Sequence, residues 1–424
     1  TVRHAPQKER GEREMANSVN LLLTARAVMA AVQHLPENGI QEENLGALQA
    51  MQDPAFTALR QAINPLIPGD DKSLAWVTKG GRDIKVPKVT ITYKPRVVQT
   101  AISERTKQSS GVTLTDGTSM SVWFDQHKEK TWQKTIAKEL LEDSAQNYIR
   151  ALLGGGKLSG GRVRNIDHLL SNLGYEMFGS MVPTIFTPAN TYILSTLVAA
   201  IGKNKAYPTA TTPTAAAPCI EIVGYDAKGN PTKNPRNVIM NTKLANKIQG
   251  KPILIGGLKW LQWHRDLVIY KVNQDGLDFV TAYANMPWVF YYDGQIDTTY
   301  GQDQAIMVDG GAVAFDSVNY HGPNGLIREP QSANTYFDRG VIRFNQFVGD
   351  EPGLAGTPGI MSMGFDVRIA EQNDTNDLPE QLITPSFSYG MYTRPTGFFT
   401  SDTGDVMNAV TGVYGFKLID EEAV

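Results

Sequence analysis

Between Asn17 and Leu35 the apolar residues Val19, Leu22, Leu23, Ala27, Val28, Ala30, Ala31 and Val32 recur at helical spacing and stop at Pro36 and Asn38-Gly39. That periodicity predicts an amphipathic helix. Residues 40–72 continue with short helical pieces broken by Asp53-Pro54, Asn64-Pro65 and Pro68-Gly69. Such a pattern reads either as an arm lying across another surface or as a helical cap on the chain's own core.

From Ile84 to Phe124 the texture changes to strand-type runs. Val86, Val89, Ile91 and Tyr93, then Val97, Val98, Ala101 and Ile102, are separated from Thr113–Phe124 by the turn-rich Lys107–Gly111. Alternation and turn chemistry predict a long two-armed hairpin. Next, Trp132, Ile136, Leu140, Leu141, Ala145, Tyr148, Ile149, Leu152 and Leu153 form one apolar stripe. It predicts a helix over Lys128–Leu153 of about 26 residues, roughly 39 Å long, ending at the glycine-rich Gly154–Gly161. Shorter helices are predicted over Pro188–Ile201, with Thr187 as N-cap and Gly202 closing it, and over Thr242–Gln249, capped by Asn241 and Gly250.

Residues 203–237 are rich in Pro, Thr, Ala, Lys and Asn around Ile220–Val223, the pattern of a surface excursion carrying a hairpin. Beyond Lys251 strands are predicted at Ile253–Ile255, Leu267–Val272, Trp288–Tyr292, Ala305–Val308, Ala312–Phe315, Val341–Phe347, Phe365–Ile369, Phe387–Tyr392 and Val413–Leu418. The class is α+β, without an internal repeat.

Charge changes this picture more than composition does. Hydrophobic residues at 41% and charged residues at 20% are an ordinary globular balance. The net charge of −3, however, hides a division: residues 1–265 hold 33 Lys and Arg against 21 Asp and Glu, and residues 266–424 hold 7 against 22. The acidic part is studded with aromatic and β-branched residues and is therefore a folded region. The two parts either compensate within one chain or meet between copies of it. Lys79–Lys107 alone carries eight basic and two acidic residues, too polar for a buried sheet. A two-stranded ribbon of that kind is marginal in water without a partner surface.

Candidate chemistry is sparse. The single Cys219 excludes intramolecular disulfides and cysteine-based metal clusters. Residues 1–15 are charged and lack a secretory apolar core, and no apolar run reaches the roughly 18 residues of a membrane span. The start at Thr1 fits removal of an initiator Met, with maturation cleavage as the second reading. Gly154-Gly155-Gly156-Lys157 is followed by Leu158 where a phosphate loop needs Ser or Thr, and it follows a helical pattern instead of a strand. His4, His34, His127, His168, His264 and His321 show no metal-ligand spacing. Asp275–Asp278 and Asp374–Asp377 lack the calcium-loop ligand ladder, and Asp402–Asp405 reads as a turn. The pattern anchors no catalytic residue, metal or cofactor. Trp260-Leu261-Gln262-Trp263 and Trp288–Tyr292 could stack on sugars or bases, but buried mass is the favoured reading.

The order of parts, an arm, a long hairpin, a long helix and then a mixed α/β region with a strand-rich end, resembles the major capsid proteins of tailed bacteriophages, the Hong Kong 97-like capsid fold. The resemblance implies residues 1–70 as N-terminal arm, 71–127 as extended hairpin (E-loop), and 128–186 with 340–395 as peripheral domain with its spine helix at 128–153. Residues 187–339 with 396–424 would be the axial domain, carrying an insertion at 203–237. It further implies a self-assembling shell of hexamers and pentamers around double-stranded DNA in the virion, assembled in the host cytoplasm. Its partners would be other copies of the chain and scaffolding, portal and decoration proteins, with no membrane. Lys85, Lys88, Lys94, Arg96, Arg105 and Lys107 of the hairpin become the expected inter-subunit contacts. The alternatives are a tail or baseplate component, or a polysaccharide or peptide hydrolase with Trp260, Trp263 and Trp288 lining a cleft.

Overall fold

The computed structural model describes residues 43–63, 72–79, 82–93, 96–98, 118–123, 126–129, 132–137, 176, 179–207, 220–223, 234–248, 250–275, 282, 285–318, 321–322, 327–328, 335–345, 360–373, 379–394, 399–401 and 411–419. The predicted helix over 17–35, the glycine-rich 154–161 and Cys219 lie outside these residues.

The first described segment holds two short helices, α1 (Gly46–Ala50) and α2 (Thr57–Ile63). Between them Asp53 accepts the Ala55 N–H at 2.8 Å and caps the 3₁₀ turn Pro54–Phe56. Proline suits the first turn of a helix because that N–H has no intrahelical partner anyway. Leu45, Ala47, Leu48, Ala50, Met51 and Phe56 are all fully buried in the main core. Burial of each large side chain contributes roughly 1.5–3 kcal/mol, so this part of 40–72 caps the chain's own core.

Six strands follow: β1 (Lys72–Lys79), β2 (Arg82–Tyr93), β3 (Arg96–Val98), β4 (Thr118–Trp123), β5 (Gln126–Glu129) and β6 (Trp132–Ala137). The two arms expected over 84–124 do pair, antiparallel, from Lys88↔Trp123 to Tyr93↔Thr118. Two features differ from expectation. β1 adds a third strand on the far side of β2, with Gly80-Gly81 between the two in sequence. The Val97-Val98 run leaves the hairpin and pairs as β3 in parallel with Phe399–Ser401.

The predicted spine helix is corrected. Lys128 and Glu129 end β5, Trp132–Ala137 is β6, and residues 138–153 lie outside the described residues. Trp132 and Ile136 are four apart, a spacing that satisfies a strand face as well as a helix face.

A π-helical turn, Val182–Phe186, runs into α3 (Thr187–Ala199). Thr187 therefore lies inside continuous helical backbone and is not an N-cap. A proline inside a helix crowds the carbonyl four residues back, and the wider π turn accommodates Pro188 there. Strand β7 (Ile220–Val223) precedes α4 (Pro235–Ala245), whose N-cap Asn234 accepts the Arg236 N–H. This helix starts seven residues before the expected Thr242 and ends at Ala245 with Asn246 as its C-cap, before Gly250. Strand β8 (Ile253–Gly256) leads to α5 (Leu258–Asp275) and β9 (Val289–Tyr292). Leu267–Val272, expected as a strand, is thus helical: Trp260, Leu261, His264 and Val268 are buried at helical spacing.

The chain continues through α6 (Gly294–Thr299), β10 (Gln304–Val308), β11 (Val313–Val318), β12 (His321–Gly322), β13 (Ile327–Arg328) and β14 (Thr335–Asn345). It ends with β15 (Ile360–Asn373), β16 (Pro379–Thr393), β17 (Phe399–Ser401) and β18 (Val413–Ile419).

The five-stranded sheet runs β7-β18-β10-β8-β9 and is mixed, with β7 parallel to β18 and β9 parallel to β8. Among the described residues Ile220–Val223 is thus an edge strand of this sheet, and the flanking residues of the expected hairpin, 208–219 and 224–233, lie outside them. The pleat sends alternate residues to two cores. Ile253, Ile255, Ile306, Val308 and Val413 join α1 and α3 on one face. Leu254, Ala305, Met307, Tyr414 and Phe416 join α4 and α5 on the other. A second sheet runs β11-β16-β15-β14. Its Phe315, Phe365, Val367, Ile383, Phe387 and Tyr389 close the first core from the opposite side. Strand β16 is its axis, taking β15 and β11 along its length and also pairing with β5 and β6.

Candidate functional site

Of the six hairpin cations, Lys85 and Lys88 lie on β2, at registers Lys85↔Trp76 and Lys88↔Trp123. Arg96 lies on β3 opposite Phe399, in a different sheet. Lys94, Arg105 and Lys107 lie outside the described residues. Beside Lys85 and Lys88 the β1–β2 register shifts between Leu74 and Trp76. Pro87 sits in this stretch, and a residue without an N–H fits where a ladder is interrupted.

Among the described residues, the ribbon has two strands from Trp76↔Lys85 to Lys79↔Arg82, since the β2–β4 pairing there begins at Lys88. At its other end the ribbon is rooted in the body. Val122 of β4 is buried, and the next strand, β5, pairs with β16. Lys79, Arg82 and Lys85 thus lie on the part of the β1–β2 pair beyond the Lys88↔Trp123 register.

Trp260, Trp263 and Trp288 form one aromatic cluster. Trp260 and Trp288 are 0% and 2% exposed and lie in the core, and Trp263 is half-buried. Trp263 stacks on Trp288 at 5.8 Å and meets Trp260 edge-on at 5.5 Å. Both buried indoles are satisfied: Trp260 Nε1 donates to the Asp303 carbonyl at 2.7 Å, and Trp288 Nε1 donates to His264 Nδ1 at 3.3 Å. His264 stacks on Phe290 at 4.8 Å, and burial lowers its pKa to about 3. It is a neutral core imidazole.

Two polar joints hold the body together, and sequence reading missed both. Asp293, fully buried, caps α6 by accepting the Gln295 N–H at 2.9 Å with Oδ1. Its Oδ2 accepts from the Ala47 N–H at 2.7 Å and from Asn190 Nδ2 at 2.8 Å. Burial raises its pKa to about 6, against the three donors, while the charge of Asp297 adds to the rise. The local signal was the Asp-Gly-Gln start of α6, a side-chain cap; no local signal announced Asn190. At the second joint Arg394 donates to the Gly311 carbonyl at 2.8 Å and pairs with Asp309 at 3.5 Å, tying the end of β16 to the β10–β11 turn. Among the described residues no group of three His, Cys, Asp or Glu side chains could hold a metal ion, and no helix is long and apolar enough to cross a membrane.

No family model matches this chain, and no curated protein matches it. Among solved structures, it superposes on a chain of the satellite phage P4 procapsid that includes the size determination (Sid) protein. The identity is 8% and the TM-score 0.28, over 86% of this chain and 91% of that one. At that level the likeness assigns neither a fold family nor a role.

Proposed function

We propose that this chain is a structural, self-assembling shell protein, the major capsid protein of a tailed phage. In this reading its hexamers and pentamers close around double-stranded DNA, with scaffolding, portal and decoration proteins as further partners. The observation that supports this best is the basic ribbon β1–β2. Its outer part is two strands wide among the described residues, and such a ribbon gains stability by lying on another surface. Residues 266–424, with 22 acidic against 7 basic residues, supply a complementary surface on a neighbouring copy. Contacts of this head-to-tail kind close into rings or extend into sheets.

The experiment is the native mass of the purified chain by light scattering, with electron micrographs of the same fractions. A variant in which residues 77–84 are replaced by a short Gly-Ser turn removes the ribbon tip and leaves Val122 and β4 in place. Closed shells from the native chain and folded, unassembled protein from the variant are expected. Normal shells from the variant would overturn the role of the ribbon. Rings or tubes of small fixed number would point to a tail or baseplate component, and a monomer that stays so with co-expressed scaffolding partners would sink the reading.

A further inference from the structure

From Ala227 to Arg265 the chain carries eight lysines and arginines and no aspartate or glutamate. The fold gathers part of that charge, with two lysines from an earlier segment, around one polar joint. Asn204 is buried, and its Nδ2 donates to Thr242 Oγ1 at 2.8 Å. Its Oδ1 accepts from Asn246 Nδ2 at 2.9 Å. Asn246 Oδ1 in turn accepts the Lys205 backbone N–H at 3.1 Å, and Asn246 Nδ2 also reaches the Thr242 carbonyl at 2.8 Å.

Every residue of this joint has a lysine beside it in the chain: Lys203 and Lys205 flank Asn204, Lys243 follows Thr242, and Lys247 follows Asn246. Lys203, Lys205 and Lys247 are exposed and Lys243 is half-buried. Lys247 is held at φ 54, the left-handed region that non-glycine residues rarely occupy, while the Ile248 N–H folds back to the Lys243 carbonyl at 3.0 Å. The C-terminal carbonyls of α4 favour cations at Lys243 and Lys247. They do not account for Lys203 and Lys205, which arrive from a segment 38 residues earlier at the Asn204–Thr242 bond.

We infer that this four-lysine patch binds the phosphate backbone of double-stranded DNA without reading its sequence. Lysines are compact charges on flexible stems, suited to phosphates and not to the bidentate recognition of base edges. The stretch Ala227–Arg265 itself contributes no carboxylate to offset these lysines, and the Asn204–Thr242–Asn246 joint holds the two segments in fixed relation. The choice of duplex DNA as the polyanion rests on the shell reading; the patch itself does not.

The test titrates unassembled full-length protein into a short fluorescent DNA duplex and follows anisotropy between about 50 and 200 mM salt. Each phosphate contact contributes about 0.9 to the slope of log K against log salt. The K203Q/K205Q/K247Q variant is therefore expected to flatten the slope by about 2.7 and to weaken binding at least tenfold at the middle of that range. The K203R/K205R/K247R variant should keep wild-type binding, which separates charge from folding. If the triple Gln variant fails to fold, Lys203→Gln alone should flatten the slope by about 0.9.

A folded Gln variant with unchanged slope overturns the proposal. So does one that binds duplex normally but no longer self-associates, since the patch would then face another copy. The two readings fail separately. Duplex binding by a chain that never assembles leaves the patch standing and the shell reading lost. Shells from a chain that ignores duplex do the reverse.

Discussion

Asn190 and Asp293, 103 residues apart in the chain, are joined by a hydrogen bond of 2.8 Å from Nδ2 to Oδ2. Together they cap a helix that cannot cap itself. The residue before α1 is Leu45, which offers no side-chain cap. The Ala47 N–H bonds Asp293 Oδ2 at 2.7 Å, and the Leu48 N–H bonds Asn190 Oδ1 at 2.7 Å. These are two of the orphan donors of a helix start, satisfied by side chains from α3 and from the end of β9.

Removing this bridge leaves buried donors without partners. Asn190→Ala strands the Leu48 N–H and takes one donor from Asp293, so a loss of roughly 2–4 kcal/mol is expected. Urea unfolding would show it as a lower midpoint at unchanged slope. A midpoint equal to wild type would mean that water replaces the amide at no cost.

The same joint makes stability depend on pH. Burial raises the Asp293 pKa from 3.8 to about 6, so between those values the folded state binds a proton that the unfolded chain releases. Its contribution is full below about pH 3.8 and is lost as pH rises through about 6, roughly 3 kcal/mol in all. Asp293→Asn is expected to abolish that loss. It should also be less stable at every pH, because its amide nitrogen faces the Ala47 and Asn190 donors. Urea midpoints at pH 4, 5, 6 and 7 decide the matter; an unchanged profile in the variant would remove Asp293 from the account.

His264 works in the opposite direction. Its folded pKa, lowered by burial from 6.5 to about 3, means that its contribution is full above about 6.5 and is lost as pH falls toward about 3. Between about 4 and 6 it offsets Asp293, so the wild-type profile should be nearly flat there. His264→Asn keeps an acceptor for Trp288 Nε1 and removes the titration. In that variant stability should fall as pH rises across this range, and acid unfolding followed by tryptophan fluorescence should begin at lower pH. Acid unfolding at the wild-type pH would contradict this.

At Gly46 the first helix packs directly against the backbone at the end of β9. A Cβ there would overlap the Tyr292 carbonyl oxygen and stand 2.8 Å from Asp293 Cβ. Backbone gives way poorly, so Gly46→Ala is expected to displace α1 at a cost of several kcal/mol, the range of strong overpacking. Limited proteolysis should then cut between residues 43 and 63 before the rest of the body. Wild-type protease resistance would show that the helix can shift without loss.

How much was legible depended on the kind of signal. The strands at Ile253, Ala305 and Val413 were readable because short apolar runs buried on both sheet faces have no helical alternative at that length. The Asp53-Pro54 break was readable because capping and proline geometry are local. Leu267–Val272 misled because its run of apolar residues outweighed the spacing set by Trp260, Leu261 and His264. Trp132 and Ile136 misled because β6 forms by pairing with Gln381 and Ile383, far along the chain. The hairpin cations were legible as a charge run, but which of them share a strand was not. The lysines around Asn204 and Thr242 gave no joint signal, since their segments meet only through side-chain hydrogen bonds.

The sequence by itself determined the class of the chain, the Asp53-Pro54 break, the opposed charges of its two parts and the pairing of the β2 and β4 arms. Each of these follows from local backbone preference, from side-chain periodicity or from counting. Only the tertiary structure decided that 43–56 belongs to the core, that β16 is the axis to which β5 and β6 dock, and that Asn190 and Asp293 cap a helix neither belongs to. These depend on which distant segments meet, and a hydrogen bond or a ladder between residues a hundred positions apart leaves no pattern in either segment alone.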